Sequence, residues 1–287
     1  MTAASIPFTG PADDTRRLHR DTREALRAAA GRTADLLRRS DEPAAPVPGL
    51  IWTTAETAAH MVGELRDYAQ GLTRHTAGYM THPNSPTESP SRMGAAVNAR
   101  QLVEVPERDV RRLADLLEEA AEGYLAAAAA ADESAAIQVA NGLVLSPPEM
   151  TSLLLGEQVV HGLDIARAVG AKWHIDPHDA LLVIPGALSV APQYLRRSAA
   201  LTRVSFELRI RGGNAYRMAV DHGSATVTTV TAACEKSDCV ITADPVAFLL
   251  LGYGRISQWS PILRGRLRAG GRKPWKAMKF ATMMSSP

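Results

Sequence analysis

From Ser146 to Gly170 the chain reads as one helix, and the stripe it would turn inward is Met150, Leu154, Glu157, His161, Asp164 and Ala168. Steps of three and four residues define a core face. Yet the middle of this stripe is polar. A buried carboxylate without a partner costs several kcal/mol, so the fold around this helix must bring it a counter-charge, a donor or an ion. Glu157 and His161 lie one turn apart on one face. His60, about a hundred residues earlier on another expected helix, supplies a third donor. Two imidazoles and one carboxylate leave a fourth coordination position open, as in catalytic metal centres. A divalent ion would neutralise Glu157 and use neutral imidazoles. Zinc suits this set best, and iron, nickel and manganese are compatible with it. Asp164, one turn beyond His161, is placed either to receive that ring's other N–H or to bind substrate or a backbone group.

The rest of the first 200 residues is also helical in pattern. A first helix begins near Asp13 and runs through Leu18, Leu26, Ala29 and Leu36 to Arg39, before a Pro-rich link, DEPAAPVPG. A second opens at Thr53 with Glu56 three residues on, a capping-box pair, and carries Met61, Leu65, Tyr68 and Leu72 on one stripe. Thr81 to Ser91 is a Pro/Ser loop, read either as a lid or as a surface connection. A helix starts before Arg100, and a strong one runs from about Glu107 to Ala131. Ser146, Pro147 and Glu149 mark the start of the helix that bears Glu157, and Gly170 marks its end. Four such helices with one inward polar patch describe a bundle with a metal centre.

Pro177 to Ser198 reads as a bridging helix. Beyond Thr202 the period shortens to two. Val204–Ile210, Tyr216–Val220, Ala225–Val230 and Cys239–Thr242 are expected strands, with Arg211-Gly212-Gly213 as a turn. Asp244-Pro245 starts a helix through Phe248 and Leu251, and Trp275 to Met283 closes the chain as another. The pattern is an α+β region with an antiparallel sheet. The expected domains are 1–200, a helical bundle, and 201–287, a smaller α+β domain.

Net charge is only +2 over 287 residues, so nucleic acid is not an expected partner. No apolar run approaches the roughly 20 residues that span a bilayer, and the N-terminal residues lack a secretory pattern. Cys234 and Cys239 are the only cysteines, which fits a reducing cytoplasm. His82, His174 and His178 fall in expected loops and read as solvated histidines. Leu250 to Arg255 contains glycines, but not at nucleotide-binding spacing.

Two segments carry a family resemblance. Trp52-Thr53-Thr54-Ala55-Glu56-Thr57-Ala58-Ala59-His60 resembles a Trp-led helix bearing a first metal-binding His. Glu157-Gln158-Val159-Val160-His161-Gly162-Leu163-Asp164 resembles an ExxxHxxD motif. Together they resemble the mycothiol-dependent maleylpyruvate isomerases and their relatives in the DinB-like four-helix-bundle superfamily. ITADPVAFLLLGYGR and LRGRLRAGG resemble the sterol-carrier-like domain that follows the bundle there.

The resemblance implies a zinc-type site of His60, Glu157 and His161, with mycothiol as the small thiol. It implies that Arg255 contacts substrate or thiol, with Arg100 a second candidate; no catalytic group beyond the metal ligands is implied. A free thiol is mostly protonated at neutral pH, and a dication removes its proton. The expected function is therefore a metalloenzyme that activates a thiol against an electrophilic small molecule, as an S-transferase or a cis–trans isomerase. The stretch GRLRAGGRKPWKAMKFATMM departs from the family's shorter ending, which opens the question of substrate. Two alternatives stand beside it: a hydrolase using metal-bound water, and a carrier of an apolar ligand in the C-terminal domain.

Overall fold

The computed structural model describes residues 12–76, 90–232 and 235–284. The chain forms two compact units, one spanning Arg16–Ile175 and the other built from Asp176 onward.

The first unit is helical. Its elements are α1 (Ala12–Arg39), α2 (Thr54–Thr76), α3 (Pro90–Glu104), α4 (Val110–Ala130) and α5 (Pro147–Ala168). A small antiparallel pair, β1 (Ile137–Gln138) and β2 (Val144–Leu145), precedes α5. Their ends are fixed locally. The Thr53 N–H donates to Glu56 Oε2 at 2.8 Å and Thr53 Oγ1 accepts from the Glu56 N–H at 3.3 Å, closing a reciprocal cap on α2. Asp109 Oδ1 accepts from the N–H groups of Arg111 and Arg112, each at 2.9 Å, and starts α4. Glu149 holds the N–H and hydroxyl of Ser146 at the head of α5. At its tail Gly170 takes φ 65° while the Ala171 N–H reaches back to the Ala166 carbonyl, which is why a glycine stands there.

α2 packs against α3, α4 and α5. α1 runs beside α4 and α5, shown by Arg27–Glu122, Arg38–Glu118 and His19–Thr151 contacts. Leu26, Leu37, Met61, Leu65, Leu113, Leu117, Tyr124, Met150 and Leu154 fill the space between them. α1, α2, α4 and α5 are the bundle. Pro90 opens α3, so that helix begins within the stretch read as a loop; the remainder of that loop, with His82, lies outside the described residues.

The second unit holds α6 (Pro177–Val190), a five-stranded sheet, and the short helices α7 (Pro245–Gly252), α8 (Trp259–Leu263) and α9 (Ala277–Met283). The strands are β3 (Arg203–Ile210), β4 (Ala215–Asp221), β5 (Ser224–Thr229), β6 (Cys239–Ala243) and β7 (Leu267–Gly270), in the order β5-β4-β3-β6-β7. β3, β4 and β5 form an antiparallel meander, but β6 pairs parallel to β3. The sheet is thus mixed, not purely antiparallel. The link after β5 carries the chain back to the start of β3, where the Asp238 N–H donates to Ser205 Oγ at 3.0 Å. β6 then runs in the direction of β3. β7, an edge strand whose two middle residues, Arg268 and Ala269, are exposed, escaped the sequence pattern.

α6 ends at Val190 and gives way to 3₁₀ turns at Ala191–Tyr194 and Arg197–Ala199, short of the expected Ser198. Its Ile184 and Leu188 join one apolar cluster with Phe206, Leu208, Met218 and Ile241 of the sheet. That burial is why the compact unit starts at Asp176 rather than near residue 200. Cys239 is buried and free in this core, while Cys234 lies outside the described residues. No helix among the described residues is long and apolar enough to cross a membrane.

Candidate metal centre

His60 from α2 and the pair Glu157 and His161 from α5 meet inside the helical unit. One donor atom of each lies within 4.8 Å of the other two. Glu157 Oε2 is 3.0 Å from His161 Nε2 and 3.8 Å from His60 Nε2. Donors held about 2.1 Å from a tetrahedral ion stand roughly 3.4 Å apart, so these spacings bracket what an ion needs. Both histidines are buried.

The other ring nitrogens are already engaged. His161 Nδ1 lies 3.1 Å from Asp164 Oδ2, and His60 Nδ1 lies 2.8 Å from Gln101 Oε1. An acceptor at Nδ1 keeps a proton there, so each ring aims Nε2 at Glu157; that nitrogen donates to the carboxylate while protonated and becomes an ion's ligand once its proton is lost. Trp52 leans on both rings, its centroid 4.8 Å from that of His60 and 6.5 Å from that of His161. The two imidazoles meet edge to face.

Burial is the largest influence on the Glu157 carboxyl and opposes its charge. Hydrogen bonds and charge from His161 and His60 together outweigh burial and hold it far below the usual carboxylate range. Burial likewise works against a charged His161, but Asp164 and Glu157 overcome it and push the ring up to about 9. A further carboxylate, Glu64, lies one turn after His60, with its Oε2 4.0 Å from His60 Nε2. That oxygen is buried without a hydrogen-bond partner among the described residues. Burial, then the charges of Glu157 and Asp67, push the Glu64 carboxyl well above its ordinary range. Crowded carboxylates facing two inward imidazole nitrogens are a donor set that a dication, in place of the imidazole protons, fits.

Arg100 sits on α3 with its guanidinium on Asp67 (2.8 Å) and Glu104 (2.7 Å). Arg255 belongs to the second unit, just beyond α7, and donates to the Tyr253 carbonyl at 2.6 Å. Sequence reasoning passed over Gln101, Glu64 and the packing of Trp52 on the histidines. Glu64 had a signal, since it stands four residues after His60 as His161 does after Glu157. Gln101 had none.

A helical unit with an inward His–Glu–His set, followed by an α+β unit, defines a class of bundle proteins with a candidate metal centre. The chain belongs to the family of the mycothiol maleylpyruvate isomerase N-terminal domain, whose model matches residues 11–166, more than half of the sequence. Among solved structures it is similar to a mycothiol-dependent maleylpyruvate isomerase, with TM-score 0.56 and 14% identity over 93% of this chain and 95% of that one. A histidine-to-alanine variant of that isomerase gives the same values. At this identity the likeness shows the fold. No curated protein matches the sequence.

Proposed function

We propose that His60 Nε2, Glu157 Oε2 and His161 Nε2 hold a divalent ion, zinc in the first instance, and that the chain is an enzyme activating mycothiol or a thiol like it for attack on an electrophilic carbon. The observation that carries this reading is the convergence of both Nε2 atoms on one Glu157 oxygen with both Nδ1 atoms occupied. When bound, such an ion keeps a thiol in its nucleophilic thiolate form at neutral pH. Asp164 fixes the His161 ring, and Trp52 covers both imidazoles on one side. Arg255 is assigned to the carboxylate of substrate or to the thiol.

Thiolate addition to a double bond conjugated with a carbonyl moves the electron pair onto the conjugated oxygen. The former double bond can then rotate. Expulsion of the thiolate restores the alkene and frees the thiolate for another turnover, giving cis–trans isomerisation; protonation of the enolate at its α-carbon with the sulfur retained gives S-transfer. Family membership favours the isomerase, and the extended C-terminal segment keeps the transferase beside it. The enzyme would work in the cytoplasm, where small thiols stay reduced.

The test is turnover of a cis unsaturated keto acid of the maleylpyruvate type, with and without mycothiol, by wild type and Glu157→Ala. Thiol-dependent turnover lost in the variant supports the reading. Full activity in the variant, or hydrolysis with no thiol, overturns it. A second reading, a carrier role, is favoured by one feature: an apolar cavity of about 440 Å³ in the second unit, lined by Ile241, Phe248, Leu251, Leu267 and Phe280. Co-purified apolar ligand and indifference to thiols would support that role instead.

A further inference from the structure

The side chain of Gln101 is buried at the contact of α2 and α3, and its two ends face different partners. Its Oε1 lies 2.8 Å from His60 Nδ1. Its Nε2 donates to Asp67 Oδ2 at 2.6 Å. The same Asp67 oxygen accepts from Arg100 at 2.8 Å, and Arg100 is tied to Glu104 of its own helix. The chain of contacts runs from a solvent-facing guanidinium to a ring nitrogen in the core. The amide cannot be turned over without setting its NH₂ against a His60 N–H and its oxygen against a carboxylate, so the order of donors is fixed from Arg100 inward.

The backbone makes room for this amide. A Cβ at Gly63 would lie 2.7 Å from Gln101 Cβ and 2.9 Å from its Cγ. Only a residue without a side chain at position 63 lets α3 come close enough for the glutamine to reach His60. Asp164 does for His161, from within α5, what Gln101 does for His60 from a neighbouring helix.

We infer that Gln101, held by Asp67 and Arg100, is the positioning residue for His60: it fixes the His60 tautomer and ring plane so that Nε2 meets Glu157. This rests on the metal-centre reading above. It also gives Arg100 a task, anchoring Asp67, that involves no contact with substrate.

The experiment is zinc affinity by competition with a chromophoric chelator, with the absorption spectrum of the cobalt-loaded protein as a second readout. It compares wild type, Gln101→Leu, Gln101→Glu, and Gln101→Glu combined with Asp67→Asn. Leucine preserves volume but offers His60 no acceptor, so Gln101→Leu should bind zinc about 10- to 100-fold more weakly and shift the cobalt spectrum. In the double variant the introduced carboxylate accepts from His60 while the new amide donates to it, so affinity should return to within a few-fold of wild type. Gln101→Glu alone sets two carboxylates together and should bind more weakly than the double variant. A Gln101→Leu protein with wild-type affinity and spectrum overturns the inference, as does a double variant no better than Gln101→Leu. Failure of the wild type itself to bind zinc more tightly than Glu157→Ala would instead remove the metal reading on which it rests.

Discussion

Gly162 lies flat against the indole of Trp173, and any Cβ at that position would overlap the ring. The indole cannot simply swing away. Its N–H donates to the Val159 carbonyl at 3.0 Å, and the Arg32 guanidinium stands 5.9 Å above its face. Helix propensity alone would favour alanine over glycine by about 1 kcal/mol. Overpacking against an anchored ring costs about 1–3 kcal/mol, so the clash should win. Gly162→Ala is expected to lower stability in urea denaturation, and Trp173→Leu in the same chain should recover part of the loss. Because Gly162 follows His161 directly, zinc affinity should also fall in the single variant.

Glu157 Oε2 faces both histidines, 3.0 Å from His161 Nε2 and 3.8 Å from His60 Nε2. Glu157→Gln keeps its volume and removes its charge. Losing an orienting partner of a ligand costs 10–100-fold in metal affinity, so loss of the charged ligand itself should cost more than about 100-fold. Metal content after dialysis, measured by elemental analysis, checks this. Zinc retained at wild-type stoichiometry would show that the charge is not what holds it.

Much of this arrangement could be read in advance, and the reasons differ by residue. The polar break in the α5 stripe pointed to Glu157, His161 and Asp164 because helix geometry alone places them on one face. His60 was harder, since it stands beside the apolar stripe of α2 rather than on it. Gln101 was illegible: its role depends on how near α3 approaches α2, and that is a tertiary fact set by Gly63. The positions of β3 to β6 followed from alternation, but strand direction did not, because the path of the link before β6 leaves no periodic trace. The affiliation of α6 was equally hidden. A period of 3.6 shows that Leu188 faces something and is silent on what.

Leu188 is buried and shares one cluster with Phe206 and Met218, so α6 is structurally part of the sheet unit. Leu188→Ala should cost about 2–5 kcal/mol, as large-to-small core changes do. Hydrogen exchange distinguishes where the cost falls. Protection should drop in β3, β4 and β6 and stay unchanged in α2 and α5. Loss confined to the helical unit would assign α6 to the bundle.

His19 is buried between Glu133 and Thr151, with Nδ1 2.9 Å from Glu133 Oε1 and Nε2 2.9 Å from Thr151 Oγ1. Tyr124 reaches the same Thr151 hydroxyl at 2.8 Å. Burial is the leading influence and, despite the pull of Glu133, leaves the ring's pKa below its ordinary value. In the neutral ring Nδ1–H donates to Glu133, and Nε2 faces the Thr151 hydroxyl, which itself donates to the Pro147 carbonyl at 2.9 Å. The unfolded chain then binds a proton near pH 6.5 that the folded chain refuses. Folding stability from this group is full above that pH and declines as pH falls through it, by at most about 1.4 kcal/mol per pH unit for one proton. His19→Gln should flatten the decline between pH 7 and 5 in urea denaturation, whatever it does to stability at neutral pH. An unchanged slope would mean that another group takes up the proton on unfolding.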